Sequence, residues 1–458
     1  MDTIFPTESS VDSFVKLTGG SVESEALAQE IRACRPLDLE SRTAPPAPPE
    51  PTSVEETGLA HAQLEALLLK VLLHRGNCSG NEVSDVLCLP RGIVADLLDE
   101  FRNEMMVTIK TAAGSHDFLY QLTEAGFERA QRYASRSNYA AAAPVAFDDY
   151  IESVRMQSLQ TTSVNLDRLK KSLADMTIRP TLISQIAQAI NDGRGLFLFG
   201  ETGNGKTSIA ERVSHSFGQD IWIPRVISVH GELMRLYDPS CHEAVDSPKV
   251  NSMKYDRRWV LIRRPAVLVG GELMLDYLET RFNAAAGITE APVQMKSNCG
   301  TLVIDDFGRQ RVSSTDILNR LIVPLEKHFD FLYLSNGRQI QVPFDQLLVL
   351  STNLEPHDLL DEAFLRRIPY KIEVGGPTED EMRHLLEQNA TALGIHYDAE
   401  AVDHLIEQHY RRAHREMRFC HARDLLRQIK NYCEVHNLPK ELSIDGFDMA
   451  VQNYFAGL

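Results

Sequence analysis

The chain has 458 residues, 43% of them apolar, with 47 Lys+Arg against 64 Asp+Glu, a net charge of −17 and a pI near 5.4. That length holds two to four domains with ordinary cores, and the acidic balance argues against whole-molecule affinity for nucleic acid or an anionic membrane, leaving only a local basic patch for such contacts. No stretch approaches 18 consecutive apolar residues, the N-terminus lacks the basic-then-apolar layout of a secretory signal, and the seven scattered cysteines form no C-x-x-C pair, so reduced thiols, a cytoplasmic setting and no membrane partner are expected.

Residues 1–57 lack sustained periodicity and end in Ala44-Pro45-Pro46-Ala47-Pro48-Pro49-Glu50-Pro51. Such a segment holds too little apolar surface to fold and prefers extended polyproline geometry, so a disordered tail and spacer is expected, with one transient helix near Glu23–Ala33. Over 58–137 the pattern becomes regular. Leu64, Leu67, Leu68, Val71 and Leu72 share one helical face, a turn at Gly76–Gly80 leads to a short helix, Asn81–Cys88, and Pro90 opens a third helix carrying Ile93, Val94, Leu97, Leu98 and Phe101 inward. Two strands, Met106–Lys110 and Phe118–Leu122, flank a turn near Gly114, and Thr123-Glu124-Ala125-Gly126 starts a closing helix. Three helices and a two-stranded wing resemble a winged helix-turn-helix domain. Its third helix carries Asp96, Asp99, Glu100 and Glu104 against Arg91 and Arg102, and residues 53–137 hold 12 acidic against 8 basic residues. Phosphate contacts dominate affinity for DNA, so a protein-docking role is favoured over DNA binding. Residues 138–155, with Tyr139-Ala140-Ala141-Ala142-Ala143-Pro144, read as a linker.

Strand and helix patterns alternate over 156–375, as in an α/β sheet domain, and 376–458 is helix after helix. Within the first region, Gly200-Glu201-Thr202-Gly203-Asn204-Gly205-Lys206-Thr207 fits G-x-x-x-x-G-K-[ST] at every fixed position, between the apolar run Gly195–Phe199 and the helical run Ser208–Val213. Glycines let the backbone wrap a phosphate with its N–H groups, and the helix N-terminus adds favourable partial charge. Lys206 is placed to reach the β- and γ-phosphates of ATP, and the Thr207 hydroxyl to ligate Mg²⁺. Thr301-Leu302-Val303-Ile304-Asp305-Asp306 is an apolar strand ending in two acids: Asp305 is placed to hold the Mg²⁺, Asp306 to orient and deprotonate water. Leu347–Thr352 is a second buried strand, ending at Asn353, whose amide is placed to position water and sense the γ-phosphate. Arg366 and Arg367, after Asp361-Glu362-Ala363-Phe364-Leu365, are candidates for a finger on a neighbour's nucleotide, and Arg423 opens a helix from which it reaches the γ-phosphate.

These motifs in this order resemble the AAA+ ATPase superfamily over about residues 150–458. The resemblance implies an α/β P-loop NTPase fold (a three-layer α/β/α sandwich) with a C-terminal helical lid, here preceded by the winged helix-turn-helix domain and the disordered tail. It also implies nucleotide contacts from Gly200 through Ser208 and from Arg423, and a homo-oligomeric ring, usually hexameric, with ATP at subunit interfaces. Asp306 departs from the family's usual catalytic Glu by one methylene, which puts fast hydrolysis in doubt but not binding. Phe331–Leu334 and Gln339–Val342 flank Ser335-Asn336-Gly337-Arg338, a strong hairpin signal. Its place before the Asn353 strand is similar to the pre-sensor-1 hairpin group, which includes MoxR-like chaperones, enhancer-binding activators and unfoldases.

The interval between Lys206 and Asp305 exceeds what one strand and its helices need. The excess near Tyr237–Gly271 holds Lys254, Arg257, Arg258, Arg263 and Arg264 beside Tyr255 and Trp259, a cluster suited either to nucleic acid, to an acidic polypeptide, or to a solvated face. The leading expectation is an ATPase that remodels a protein client. A DNA-associated ATPase, for which Phe307-Gly308 after the acids is similar to helicase loaders, and a non-hydrolysing ATP-dependent switch are the alternatives.

Overall fold

The computed structural model describes residues 45–114, 117–161, 163–246, 253–359 and 366–456. The helix expected near Glu23–Ala33 and the Asp361–Leu365 stretch lie outside them. Contacts separate Met1–Pro46 from Ala47–Leu458, and every element below belongs to the second unit.

The central sheet is built from runs that are apolar at nearly every position. Its five strands are all parallel, in the spatial order Ala266–Val269, Thr301–Ile304, Leu347–Ser351, Leu196–Phe199, Tyr370–Glu373. Side chains alternate across it. Leu196, Leu198, Val303 and Val349 pack with helices Pro180–Asp192 and Lys206–His215 on one face, while Phe197, Leu302, Ile304 and Leu350 pack with helix Ser314–Lys327 on the other. Burial on both faces explains why these strands show no polar alternation. The result is an α/β P-loop NTPase-like fold. Because the strands are parallel, Gly200, Asp305, Thr352 and Val374 all leave the sheet at the same C-terminal edge, where open α/β sheets bind ligands.

The excess between Lys206 and Asp305 is a β layer rather than a loop. Val145–Ala146, Val226–Val229, Glu232–Arg235, Ile288–Glu290 and Arg281–Asn283 form a second, mixed sheet. Ile221–Pro224 pairs with Trp259–Ile262, and Phe329–Tyr333 with Gln339–Pro343. One core joins them, with Ile227, Met234, Ile262, Leu332 and Ile340 buried together with Tyr150 and Val154.

The N-terminal region has helices His61–Arg75, Gly80–Leu87, Arg91–Asn103 and Glu124–Ala134 around an antiparallel sheet ordered Asn77–Ser79, Asp117–Leu122, Val107–Gly114. Ser79 accepts from Glu82 N–H and Thr123 from Gly126 N–H, fixing two helix starts. The strand Asn77–Ser79 was not expected; the glycines on either side hid three residues that pair with Leu119–Gln121. The C-terminal region is Glu379–Leu393, Ala399–His404 running into Leu405–Arg411, Phe419–His436 and Ile444–Tyr454, around a core of its own. No described helix is long and apolar enough to cross a membrane.

Three expectations are corrected. Residues 138–155 are not a free linker: Ala143 N–H donates to Leu87 O, Val145–Ala146 is a sheet strand, and helix Phe147–Met156 buries Tyr150. Nor is the end of the tail a spacer, since Pro48 O accepts from Asp256 N–H and Thr57 is buried. The basic, aromatic cluster is not a nucleic-acid surface. Arg258 is 3% exposed, pairs with Asp256 at 2.7 Å, and donates to Thr57 O at 2.8 Å and Pro144 O at 3.0 Å. Arg264 is buried and donates to Gln157 O and Cys299 O, Trp259 is buried, and Tyr255 packs on Trp222. Arg257 reaches the N-terminal helices through Asp85, Ser84 and Leu89 O, leaving only Lys254 exposed and Arg263 in a surface pair with Glu243. Guanidinium forks here satisfy loop carbonyls that no strand partner reaches.

This stitching sets a stability prediction. Arg258→Ala leaves Asp256 buried and unpaired, a change that costs about 3–5 kcal/mol. Urea denaturation of the intact chain should show that loss, whereas Arg263→Ala should shift the midpoint little.

Candidate functional site

Gly200, Gly203 and Gly205 have φ of +129°, +90° and +83°, so the loop curls into a concave nest of N–H groups. Helix Lys206–His215 starts directly behind it with no side-chain cap, leaving its first amides directed into the loop. Lys206 is buried; its Nζ donates to Gly200 O at 2.8 Å and Glu201 O at 3.0 Å, and burial lowers its pKa from the usual lysine value. Thr207 Oγ1 donates to Asp305 Oδ2 at 2.8 Å, joining the loop to the tip of strand Thr301–Ile304.

Asp306 takes φ +48° and its side chain is exposed to the cleft. Positive φ is uncommon outside glycine, and Asp tolerates it better than Glu. Phe307 N–H to Ser351 O at 2.8 Å holds the following residue, and Gln310 Nε2 donates to Asp305 O and Asp306 O at 2.9 and 3.2 Å. Gln310 had no signal in the sequence. At the next strand tip, Thr352 Oγ1 donates to Phe307 O, and Asn353 follows with its Oδ1 buried and without a hydrogen-bond partner among the described residues. Asn204 Oδ1 is a second such orphan, although Asn204 Nδ2 donates to Val374 O. Buried polar atoms without partners are rare, and those at a cleft are available to a ligand.

A cleft of about 610 Å³ gathers most of the expected residues: Thr202, Gly203, Asn204, Gly205, Lys206, Thr207, Ser208, Asp305, Asp306 and Arg423 line it. Gly200 and Glu201 lie behind it as acceptors for Lys206. Asn353 stands at the neighbouring strand tip rather than on the cleft wall. Arg366 and Arg367 are not brought to this cleft. They precede Tyr370–Glu373, whose Tyr370 lies opposite Leu196, at the far end of the sheet from Gly200.

Residues 378–453 match the profile of a family described as a domain of unknown function (DUF8689). A comparison with curated proteins gives no match. Among solved structures, the chain is similar to NtrX from Brucella abortus, at 13% identity over 63% of this chain and 59% of that one, with a TM-score of 0.40. NtrX in complex with ATP aligns at 12% identity over 62% and 60% of the two chains, TM-score 0.38. The Holliday junction branch migration motor RuvB of Thermotoga maritima aligns at 12% identity over 62% and 73%, TM-score 0.37. The chain thus spans 59% of the length of the first of these.

The C-terminal helices touch the phosphate loop at points no motif announced. Arg418 Nη2 lies 2.8 Å from Glu201 Oε2, and Cys420 N–H donates to Gly203 O at 3.0 Å. A Cβ on Gly203 would sit 2.4 Å from Cys420 Sγ, so this variable position of the loop pattern needs glycine here. His421, one turn on, accepts at Nδ1 from Arg418 N–H and Tyr410 O–H, and burial lowers its pKa to about 4. Arg423 itself lines the cleft, is 57% exposed and pairs with the adjacent Asp424.

Proposed function

We propose that the chain is an AAA+ ATPase that binds ATP in this cleft, hydrolyses it where subunits of a ring meet, and uses the cycle to remodel a protein client. The observation that carries this reading is the Thr207–Asp305 hydrogen bond beside buried Lys206, with the orphaned amide oxygen of Asn204 on the same cleft. A hydroxyl and a carboxylate side by side form an oxygen donor set that suits Mg²⁺, so Thr207 and Asp305 are the residues that would hold it. Bound there, Mg²⁺ neutralises charge on the β- and γ-phosphates.

The chain's own groups then divide the work. Gly200–Ser208 present backbone amides, Lys206 exchanges its two carbonyl acceptors for phosphate oxygens, Asp306 accepts a proton from water, and Asn353 orients that water. Arg366 or Arg367 completes a neighbour's site, and Arg423 with Arg418 ties the helical lid, residues 376–458, to the loop. Residues 58–137 serve as a winged-helix docking module. Asp96, Asp99 and Glu100 are exposed on its third helix, which repels a phosphate backbone. The hairpin buries Leu332 and Ile340 and exposes Phe331 and Tyr333, the side chains that would grip a polypeptide. Burial of Arg258 and Arg264 also takes those two guanidiniums away from any nucleic acid.

Lys206→Ala is the direct test. ATP binding measured by equilibrium dialysis should weaken at least tenfold, since a charge-assisted contact of about 1.5–3 kcal/mol is removed, and phosphate release should fall to background. Equal phosphate release by the intact chain and the variant would leave only a non-hydrolysing switch.

A further inference from the structure

Two imidazoles and a carboxylate converge in the C-terminal region, and none of them lines the nucleotide cleft. His404 ends the helix Ala399–His404, after which the backbone widens into a π-helical turn, Leu405–Arg411. Hydrogen bonds from Arg412 N–H to Glu407 O at 3.1 Å and from Arg415 N–H to Tyr410 O at 2.9 Å each reach five residues back. In an α-helix, residues five apart point about 140° from one another. The wider turn brings His404 and His409 onto one face, with ring centroids 5.5 Å apart. Asp448, from helix Ile444–Tyr454, meets both: its Oδ1 is 2.9 Å from His404 Nε2 and 2.6 Å from His409 Nε2.

We propose that His404, His409 and Asp448 form a binding site for a divalent transition metal ion of the Zn²⁺ class. All three ligand atoms lie within 4.8 Å of one another, close enough for one ion to replace the two hydrogens now shared with the carboxylate. Two imidazole nitrogens and a carboxylate oxygen are a recurrent zinc donor set that leaves a fourth position for water. Imidazole donors favour Zn²⁺ and Co²⁺ over Mg²⁺ and Ca²⁺, so the site is distinct in chemistry from the Thr207–Asp305 pair. The histidine side chains are 25% and 22% exposed and Asp448 48%, which gives an ion a path in from the carboxylate side. The π turn explains why the sequence hid this site: a five-residue histidine spacing has no meaning on an α-helix. π turns inside helices recur at functional sites. Metal binding here would pin that turn to the last helix.

The test uses the full chain, first stripped with chelator and then titrated with CoCl₂ in excess MgCl₂, following the visible absorption of nitrogen-bound Co²⁺, with ZnCl₂ calorimetry alongside. One ion per chain with a dissociation constant of about 10 μM or tighter is expected, with at least tenfold weaker binding in His409→Gln and in Asp448→Asn. Both replacements keep hydrogen-bonding side chains, and circular dichroism at matched temperature checks that the helices persist. Absence of a visible Co²⁺ band, or affinity unchanged in the His404→Gln/His409→Gln pair, would overturn the site. Should the variants unfold, protection of the intact histidines from diethyl pyrocarbonate by Zn²⁺ decides the matter: unprotected His404 and His409 refute it.

Discussion

Arg366→Ala is expected to slow ATP turnover by about 10³-fold or more while changing nucleotide affinity only a few-fold. The expectation rests on sheet geometry. Tyr370–Glu373 runs parallel to Leu196–Phe199, with Tyr370 opposite Leu196 and Glu373 opposite Phe199. The phosphate loop leaves after Phe199, so Arg366 sits beyond the opposite end, a strand length of roughly 13 Å at about 3.3 Å per residue. It does not line its own cleft, and the ring proposed above would bring it to a neighbour's. Of the two arginines, Arg367 is engaged by Glu326 at 2.6 Å, while Arg366 is exposed and makes no ion pair among the described residues. A mixing experiment separates a finger from a merely structural arginine. Arg366→Ala and Lys206→Ala subunits are each inactive alone, yet together they form interfaces with an intact lysine facing an intact arginine, and phosphate release should return in part. No recovery on mixing, or full activity of Arg366→Ala alone, would remove the shared-site mechanism.

How much of this was legible in the sequence depends on the range over which each feature is encoded. Gly200–Thr207 and Thr301–Asp306 are local: a few residues fix a turn or a buried strand, and the structure brings Thr207 and Asp305 within hydrogen-bond distance. The helices of the N-terminal region were legible for the same reason, through the spacing of Leu64, Leu68 and Leu72. What composition misread was long-range. Arg258 and Arg264 look like a solvated basic patch until Thr57, Pro144, Gln157 and Cys299 bring carbonyls to them from distant parts of the chain. The alanine-rich stretch looked like a linker because alanine carries no strong pattern, yet small side chains are what let Ala143 pack tightly, fully buried, against the N-terminal helices. Arg418 and Cys420 could not be found by motif at all. Their role comes from the angle at which one helix meets the loop, and the only trace was a glycine at Gly203 where the pattern allowed any residue.

Asp306→Asn should retain ATP and lose about 10²–10⁴-fold in turnover, the usual contribution of a positioned general base. The side chain reaches the cleft because the backbone at φ +48° turns it there, held by Phe307 N–H on Ser351 O and by Gln310 on the carbonyls of Asp305 and Asp306. This conformation also rationalises the shorter acid. A left-handed residue is better tolerated as Asp than as Glu, and the turn supplies by backbone rotation some of the reach that a methylene would give. Asp306→Glu should therefore gain little in rate and lose on the order of 1 kcal/mol in stability. Dialysis with ATP and phosphate release, run in parallel on both variants, read the two consequences separately. If Asp306→Asn binds no nucleotide, the carboxylate belongs to the binding shell rather than to water activation; if it turns over at the rate of the intact chain, another group takes the proton. Retained binding with lost turnover makes the variant a trap, and a polypeptide held only by Asp306→Asn in the presence of ATP would be the client proposed above.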